Sequence, residues 1–333
     1  MKHKKGLLVT LVVLAIFVIV VIALVTTAYV DDVKDLETEV NNQFLQSWQQ
    51  HIEDDTKLNE MVMPGSHDSG CNNMMPLART QAHDIIDQLN GGVRYLDLRV
   101  TNKGDDLVIF HGPIKGQKFS KVLADINTFI ANNPTEFLVL DFQHLGKNVN
   151  EAVLDAITST LPMQKAMLKS QFANIEDTSI GEIRNNNVNF VIVWNNEEEC
   201  NNADYLYFRD TNLYSFYDGK VHRNVDTFVL IKHFATYYDR YQNKGFFVLQ
   251  SQRTAPMLLD KPSNLEREAK SSFNSFLETV KTNSALLDKT NIVMRDFIVS
   301  DLNTVKLILS LNINKNQIKE SSLETFTTNT TLN

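Results

Sequence analysis

From residue 60 onwards, short apolar runs alternate with stretches of helical periodicity. Met61-Val62-Met63 meets Pro64-Gly65, which reads as a buried strand closed by a tight turn that presents Ser66-His67-Asp68-Ser69-Gly70. Val93 to Val100 follows the breaker Asn90-Gly91-Gly92, and Leu107-Val108-Ile109-Phe110 leads into His111-Gly112-Pro113. Phe137 to Leu140 ends at Asp141-Phe142-Gln143-His144, and Val188 to Trp194 gives a fifth strand. An irregular sixth strand and long loops are expected over 200–245, rich in Tyr, Asp and Asn. Phe246 to Leu249 and Ile292 to Ile298 are the seventh and eighth strands.

Helices are predicted between these runs. One is capped by Ser120, carries Val122, Ile126, Phe129 and Ile130 on its apolar face, and stops at Asn132-Asn133-Pro134. Another covers 149–161. A long one carries Leu265, Ala269, Phe273, Phe276, Leu277 and Val280, and a last one runs from Leu302 to Leu309. Near-continuous apolar strands alternating with helices indicate a parallel sheet covered on its outer face. About eight such units predict an irregular (β/α)8 TIM-like barrel over 59–312. No Gly-x-Gly-x-x-Gly turn or P-loop supports a doubly wound sheet instead.

The first 58 residues follow other patterns. Residues 1–5 form a basic tip, and Leu7 to Val25 is apolar except for Thr10. At ~1.5 Å of rise per helical residue this run spans a bilayer core, so 6–28 is read as one transmembrane signal anchor. A secretory signal peptide, cleaved near Thr26-Thr27-Ala28, is the competing reading. Lysines before the run and Asp31-Asp32 after it place the remainder on the lumenal or extracellular side. Val33, Leu36, Val40, Phe44, Trp48 and Ile52 recur at helical spacing, predicting a helical stalk or cap over 29–58. Residues 313–333 read as a polar tail, with one glycosylation acceptor pattern at Asn329-Thr330-Thr331.

Composition narrows the function classes. Hydrophobic residues make up 43% of the 333 and charged ones 22%, an ordinary globular balance with ample core. A formal net charge of −8 argues against a nucleic-acid partner. Cys71 and Cys200 fit an oxidising compartment, either paired in one disulfide or free.

In a parallel barrel the chemistry lies at the carboxyl ends of the strands. Those ends carry His67 and Asp68, Asp97 and Arg99, His111, Asp141 and Gln143, Gln250 and Gln252, and Asp296. Two histidines, several carboxylates and one arginine suit phosphoryl transfer by general acid–base catalysis. The arginine's planar fork would bind the non-bridging oxygens where charge accumulates. Asp97 and Arg99 lie two apart on one strand and share a face, so a plain core ion pair is the competing reading. A zinc site is disfavoured because no His-Glu-x-x-His or His-x-His spacing occurs. Ser66 and Ser69 lack the Gly-x-Ser-x-Gly elbow of a serine nucleophile.

Met63 to Gly70, Arg94-Tyr95-Leu96-Asp97-Leu98-Arg99 and Phe110-His111-Gly112-Pro113 together resemble the X domain of phosphatidylinositol-specific phospholipase C, in its bacterial-type and X-domain-only forms. The resemblance runs from about Trp48 to Leu311 and is poor over 195–245. It implies that His67 is the general base for the inositol 2-hydroxyl, oriented by Asp296. It implies that His111 is the general acid, with Asp68 behind it, and that Arg99 contacts the phosphate. Asp97, Gln143 and Asn195 are placed against the head group. Because Arg99 stands where calcium-dependent relatives hold a metal ligand, the resemblance implies no metal and no calcium requirement. The expected products are diacylglycerol and a cyclic inositol phosphate. This chain lacks the bacterial lysine near Gln143 and the arginine near Trp194 or Asn195. That leaves two rivals: a weak or inactive barrel that binds lipid head groups, and another phosphodiesterase on the same fold.

Overall fold

The computed structural model describes residues 12–22, 33–215, 217, 219–223, 230–232, 234, 245–255 and 260–331. Its ten strands are β1 (Met63–Ser66), β2 (Tyr95–Lys103), β3 (Asp106–His111), β4 (Ile114–Lys118), β5 (Leu138–Leu145), β6 (Phe190–Trp194), β7 (Leu206–Phe208), β8 (Leu213–Ser215), β9 (Phe246–Gln250) and β10 (Ile292–Arg295). They form one sheet in the order β7-β6-β5-β2-β1-β10-β9-β8, and every pair along that path is parallel. Among the described residues β7 and β8 do not pair, so the barrel stays open there.

Two expectations about strands change. Leu107 to Phe110 is not a barrel strand: β3 pairs antiparallel with β2 and with β4, forming an excursion that ends at His111 in the cavity lining. The vacated place is taken by β7 and β8, both only three residues long, inside 200–245, where one irregular strand was expected. Pro64-Gly65 does not end a strand but lies within β1. Gly65 belongs there because a Cβ would sit 2.9 Å from Tyr95 and 3.0 Å from Ile292, so only a bare backbone lets these side chains close over β1.

The helical patterns hold with shifted ends. Phe119–Asn132 buries Val122, Ile126, Phe129 and Ile130 and stops before Pro134, which cannot continue a helix. Ser120 does not cap it; β4 runs straight into it through Lys118. Asn150–Thr160 and Leu302–Asn314 match the expected helices. Pro262–Thr282 starts on a proline, whose missing N–H costs nothing in a first turn.

Residues 33–58 do not form the expected continuous helix. Only Gln43–Gln46 and the 3-10 turn Trp48–His51 are helical, because side chains there bond the barrel floor rather than extend a stalk. Trp48 Nε1 donates to the Gly92 carbonyl at 3.0 Å, and the Gln49 amide pairs with both backbone groups of Phe137, at 2.6 and 3.2 Å. Arg94 fastens this plug. It donates to Glu136 Oε2 at 2.9 and 2.7 Å, to the carbonyls of Leu89, Val93, Leu45 and Gln46, and lies over Phe129. Nor is 313–333 only a polar tail: helix Leu323–Thr330 buries Phe326 edge-on against Phe44.

The expected anchor over 6–28 lies mostly outside the described residues. Within it, residues 12–22 are helical with exposed apolar side chains. Among the described residues no helix is long and apolar enough to cross a membrane. Cys71 and Cys200 are buried and free, so the disulfide alternative is not realised.

Breaking a buried ion pair strands a charge in low dielectric, at a cost of about 3–5 kcal/mol. Arg94→Met should therefore lower the stability measured by urea unfolding by about that amount. A loss below ~1 kcal/mol, typical of an exposed pair, would mean the floor is not fastened by this bond.

Candidate active site

Just past the carboxyl ends of β1 and β10, and in the middle of β2, a layer of carboxylates lies beneath a layer of cationic groups. Side chains of Asp68 and Asp97 are 0% exposed, those of His67 and Arg99 15% and 16%, and that of His111 31%. The acids thus form the floor, and the nitrogens face a 440 Å³ cavity lined by His67, Arg99, His111, Gln143 and Asp296 among others.

Arg99 is the hub. Its Nε lies 2.5 Å from Asp68 Oδ1, and its Nη2 donates to Asp97 Oδ2 at 2.9 Å. Nη2 also lies 3.2 Å from His67 Nε2 and 3.5 Å from Gln143 Oε1. The shared face of Asp97 and Arg99 is as the two-residue spacing predicts. A bulge between the pair Asp97/Asp141 and the pair Arg99/His144 puts His144, not Gln143, opposite Arg99. Asp97 is fully buried, which disfavours its charge, but Arg99 and His67 outweigh that and hold its carboxyl at about 2.

His67 Nδ1 and Asp296 Oδ1 are 2.7 Å apart, the pairing that was expected. Burial works against an imidazolium here. Asp68 and Asp296 together overcome it, with the Asp296 hydrogen bond, and push His67 up to about 9. The Arg99 contact pulls the other way, since Arg99 has only donors and is satisfied when Nε2 is bare. The field of carboxylates therefore sets where His67 titrates, and the contacts set which nitrogen gives up the proton. Asp296 keeps the Nδ1 hydrogen, and Nε2 becomes the basic atom.

His111 is mounted differently from expectation. Its Nδ1 donates to the Ala78 carbonyl at 3.0 Å, and its Nε2 lies 3.7 Å from Asp68 Oδ2. A backbone carbonyl, not Asp68, backs this ring, and Asp68 flanks the working nitrogen instead. The same oxygen, Asp68 Oδ2, is 3.5 Å from His67 Nε2, so both catalytic-type nitrogens converge on one carboxylate. Asp68 itself adopts φ 44, left-handed for a residue with a side chain. Among the described residues no donor is aligned in hydrogen-bond geometry on either of its oxygens, so charge alone holds it.

His67, Asp68 and Asp97 offer ligand atoms within 4.8 Å of one another, close enough for a metal ion. Arg99 already lies against both carboxylates, and its fixed charge occupies the position a cation would neutralise. Asn195 is not brought to the cavity: its side chain donates to the Gln143 carbonyl at 3.1 Å on the exposed rim. Asp141 is engaged elsewhere, accepting Arg209 Nε at 2.9 Å and the Tyr95 hydroxyl at 2.7 Å. Burial raises the Asp141 carboxyl against the opposing pull of Arg209.

Sequence reasoning missed Arg209, Tyr217, Arg253 and Thr254. The last three line the cavity, where the Tyr217 hydroxyl donates to Thr254 Oγ1 at 2.9 Å. Arg209 and Tyr217 come from the part of 200–245 without apolar periodicity, and Arg253 and Thr254 lie just past the strand end at Gln250. Gln250 and Gln252, placed at a strand end, do line the cavity.

Residues 55–185 match the family model described as phosphatidylinositol-specific phospholipase C, X domain. A 1-phosphatidylinositol phosphodiesterase of Listeria monocytogenes is 34% identical over 108 residues, covering 30% of this chain and 33% of that protein. A protein of the same description from Staphylococcus aureus strain Newman is 30% identical over 105 residues, 29% of this chain and 34% of that one. The chain thus spans about a third of the length of these curated relatives. Among solved structures, the phosphatidylinositol-specific phospholipase C of Listeria monocytogenes superposes with a TM-score of 0.63, covering 80% of this chain and 98% of that one. At 19% identity that likeness is one of fold.

In the substrate-free protein, NMR titration should place His67 at about 9. Asp296→Asn removes a charge that favours the imidazolium, so it should move the midpoint down toward the ordinary ~6.5. A midpoint unchanged by that substitution would show that Asp296 does not govern the ring.

Proposed function

We propose that this chain, whose residues 55–185 belong to the X-domain family of phosphatidylinositol-specific phospholipase C, is a metal-independent phospholipase C acting on phosphatidylinositol or a related inositol lipid. The observation that carries this reading is the convergence of His67 Nε2, His111 Nε2 and the Arg99 guanidinium around Asp68 at the cavity floor.

In this reading the inositol 2-hydroxyl attacks the phosphorus of its own head group, an internal displacement favoured by proximity. Its proton passes to His67 Nε2, and Asp296 stabilises the imidazolium that forms. Arg99 donates to a non-bridging oxygen as negative charge builds there. The phosphorus–glycerol bond breaks, and His111 Nε2–H protonates the departing oxygen, leaving diacylglycerol and a cyclic inositol phosphate. The Ala78 carbonyl keeps the His111 Nδ1 hydrogen, so Nε2 is the nitrogen that faces the leaving group. Each proton transfer is typically worth ~10²–10⁴-fold in rate. In this reading no metal activates water, so opening of the cyclic product is slow.

Three buried carboxylates (Asp68, Asp97 and Asp296) face one guanidinium, an excess of negative charge that would repel a phosphodiester. Imidazolium at His67 in the free site reduces that excess, and must lose its proton before the attack. The exposed apolar helix at 12–22, within the run from Leu7 to Val25, supports membrane anchorage of the barrel. A metal-dependent phosphodiesterase is the second reading, favoured only by the closeness of His67, Asp68 and Asp97.

Pure phosphatidylinositol incubated with the protein and a chelator, followed by ³¹P NMR of the water-soluble product, separates these readings. A cyclic phosphodiester should form, with a rate insensitive to chelator and reduced at least ~10²-fold in His67→Ala. Loss of cleavage on chelation would favour the metal-dependent reading, and no cleavage under any condition would leave a head-group-binding barrel. Because His67 must be bare while His111 carries the transferred proton, kcat/KM should be bell-shaped in pH, and Asp296→Asn, which removes a charge favouring the imidazolium, should move the limb that His67 sets to lower pH. A profile unmoved by that substitution would remove His67 as the base.

A further inference from the structure

Four consecutive residues, Ala78-Arg79-Thr80-Gln81, touch the backbone or ring of His67, Asp68 and His111 and the two neighbours of Asp296, while supplying none of the protons of the acid–base scheme. The Ala78 carbonyl holds His111 Nδ1 at 3.0 Å. Thr80 Oγ1 donates to the Asp68 carbonyl at 3.2 Å, and the Thr80 carbonyl accepts the Phe297 N–H at 2.8 Å. Gln81 Nε2 donates to two carbonyls, that of His67 at 2.8 Å and that of Arg295 at 3.2 Å. Thr80 and Gln81 are both buried.

The residues they hold are special in conformation. Asp68 has φ 44 and Phe297 has φ 47, a left-handed region that residues with side chains rarely occupy. Asp68 directly follows His67, and Phe297 directly follows Asp296, so each turn sits immediately beyond one partner of the base–carboxylate pair. Such a backbone persists only where its surroundings over-determine it. Thr80 grips both turns, one through its hydroxyl and the other through its carbonyl. Gln81 then ties the residue that carries the imidazole to the residue before Asp296.

The brace is itself anchored. Thr80 N–H and Gln81 N–H both point at the Cys71 carbonyl, at 3.1 and 3.4 Å, and Cys71 N–H returns to the Asp68 carbonyl at 2.9 Å. Arg79 Nε and Nη2 donate to the Met74 carbonyl at 3.1 and 3.0 Å. The loop from Asp68 to Gln81 therefore closes on its own starting point before it reaches across to β10.

We infer that Thr80 and Gln81 are positioning residues, which set the separation of His67 from Asp296 and Asp68 by clamping the ends of β1 and β10. This role rests on the acid–base reading of the site. The groups facing His67 are Asp68 and Asp97 from the β1 and β2 ends, Arg99 from β2 and Asp296 from β10. Slackening the clamp lets two of those carboxylates retreat while Asp97 and Arg99 stay on β2.

Thr80→Val removes one hydroxyl at nearly constant shape, Gln81→Met removes the amide donor, and Thr80→Ser keeps the oxygen. The measurements are steady-state kinetics on phosphatidylinositol and the NMR titration of His67 in the free protein. Thr80→Val and Gln81→Met should lower kcat by about 10–100-fold, with KM within about twofold of wild type. Both should move the His67 midpoint downward, because nearby carboxylates favour the imidazolium. Thr80→Ser should recover most of the loss in kcat. An unmoved His67 midpoint in the folded variants overturns the inference, whatever happens to their melting temperature, since the bonds would then be merely structural. Should Gln81→Met fail to fold, the gentler Thr80→Val decides alone. A wild-type protein that cleaves no lipid would contradict the proposed function, yet the titration would still judge the clamp.

Discussion

A guanidinium seated between two buried carboxylates is the interaction on which the barrel mouth depends. Asp68 and Asp97 have no exposed side-chain surface, and each would be costly there without Arg99 at 2.5 and 2.9 Å. Arg99 in turn reaches His67, and Asp68 reaches both His67 and His111, so one ion cluster orients two imidazoles. The cluster couples fold and chemistry directly. The strand pairing that sets β2 beside β1 and β5 also places this charge at the centre of the cavity floor.

The same arrangement gives a physical account of how a site with metal-ligand geometry could operate without metal. A divalent ion would neutralise the acids and attract the phosphodiester; a guanidinium supplies one charge and a planar fork of donors. The remaining negative excess falls on His67, which is why its pKa is raised despite burial. The positive-φ turns at Asp68 and Phe297 are the conformational cost of bringing these groups together, and the loop through Thr80 and Gln81 meets it with hydrogen bonds.

Much of this was legible in the chain because its signals are local. Apolar runs ending in His67 and Asp296 located two strand ends, and the two-residue spacing correctly put Asp97 and Arg99 on one face, although β2 continues past them to Lys103. Helix Pro262–Thr282 was readable because its apolar face recurs over many turns. What failed depends on pairing rather than pattern. Leu107 to Phe110 has the composition of a barrel strand, and only its antiparallel partners reveal a hairpin. Periodicity over 33–58 suggested a stalk, but Trp48 and Gln49 find their partners in the barrel floor, far along the chain. The backing of His111 by the Ala78 carbonyl could not be read at all, since a backbone acceptor leaves no residue signature. Arg209 and Tyr217 were missed for want of any periodic frame around them.

The claim that charge at Arg99 and Asp68 organises this site is open to a double-mutant cycle in urea unfolding, which requires no assumption about substrate. Arg99→Met and Asp68→Asn are measured singly and together. The account predicts strong non-additivity, with a coupling of about 2–3 kcal/mol, because Arg99→Met alone strands the buried Asp68 charge and the double change does not, while Asp97 loses Arg99 in both backgrounds. Stability effects that add to within ~0.5 kcal/mol would show that the two groups are neighbours without being partners, and would contradict the account.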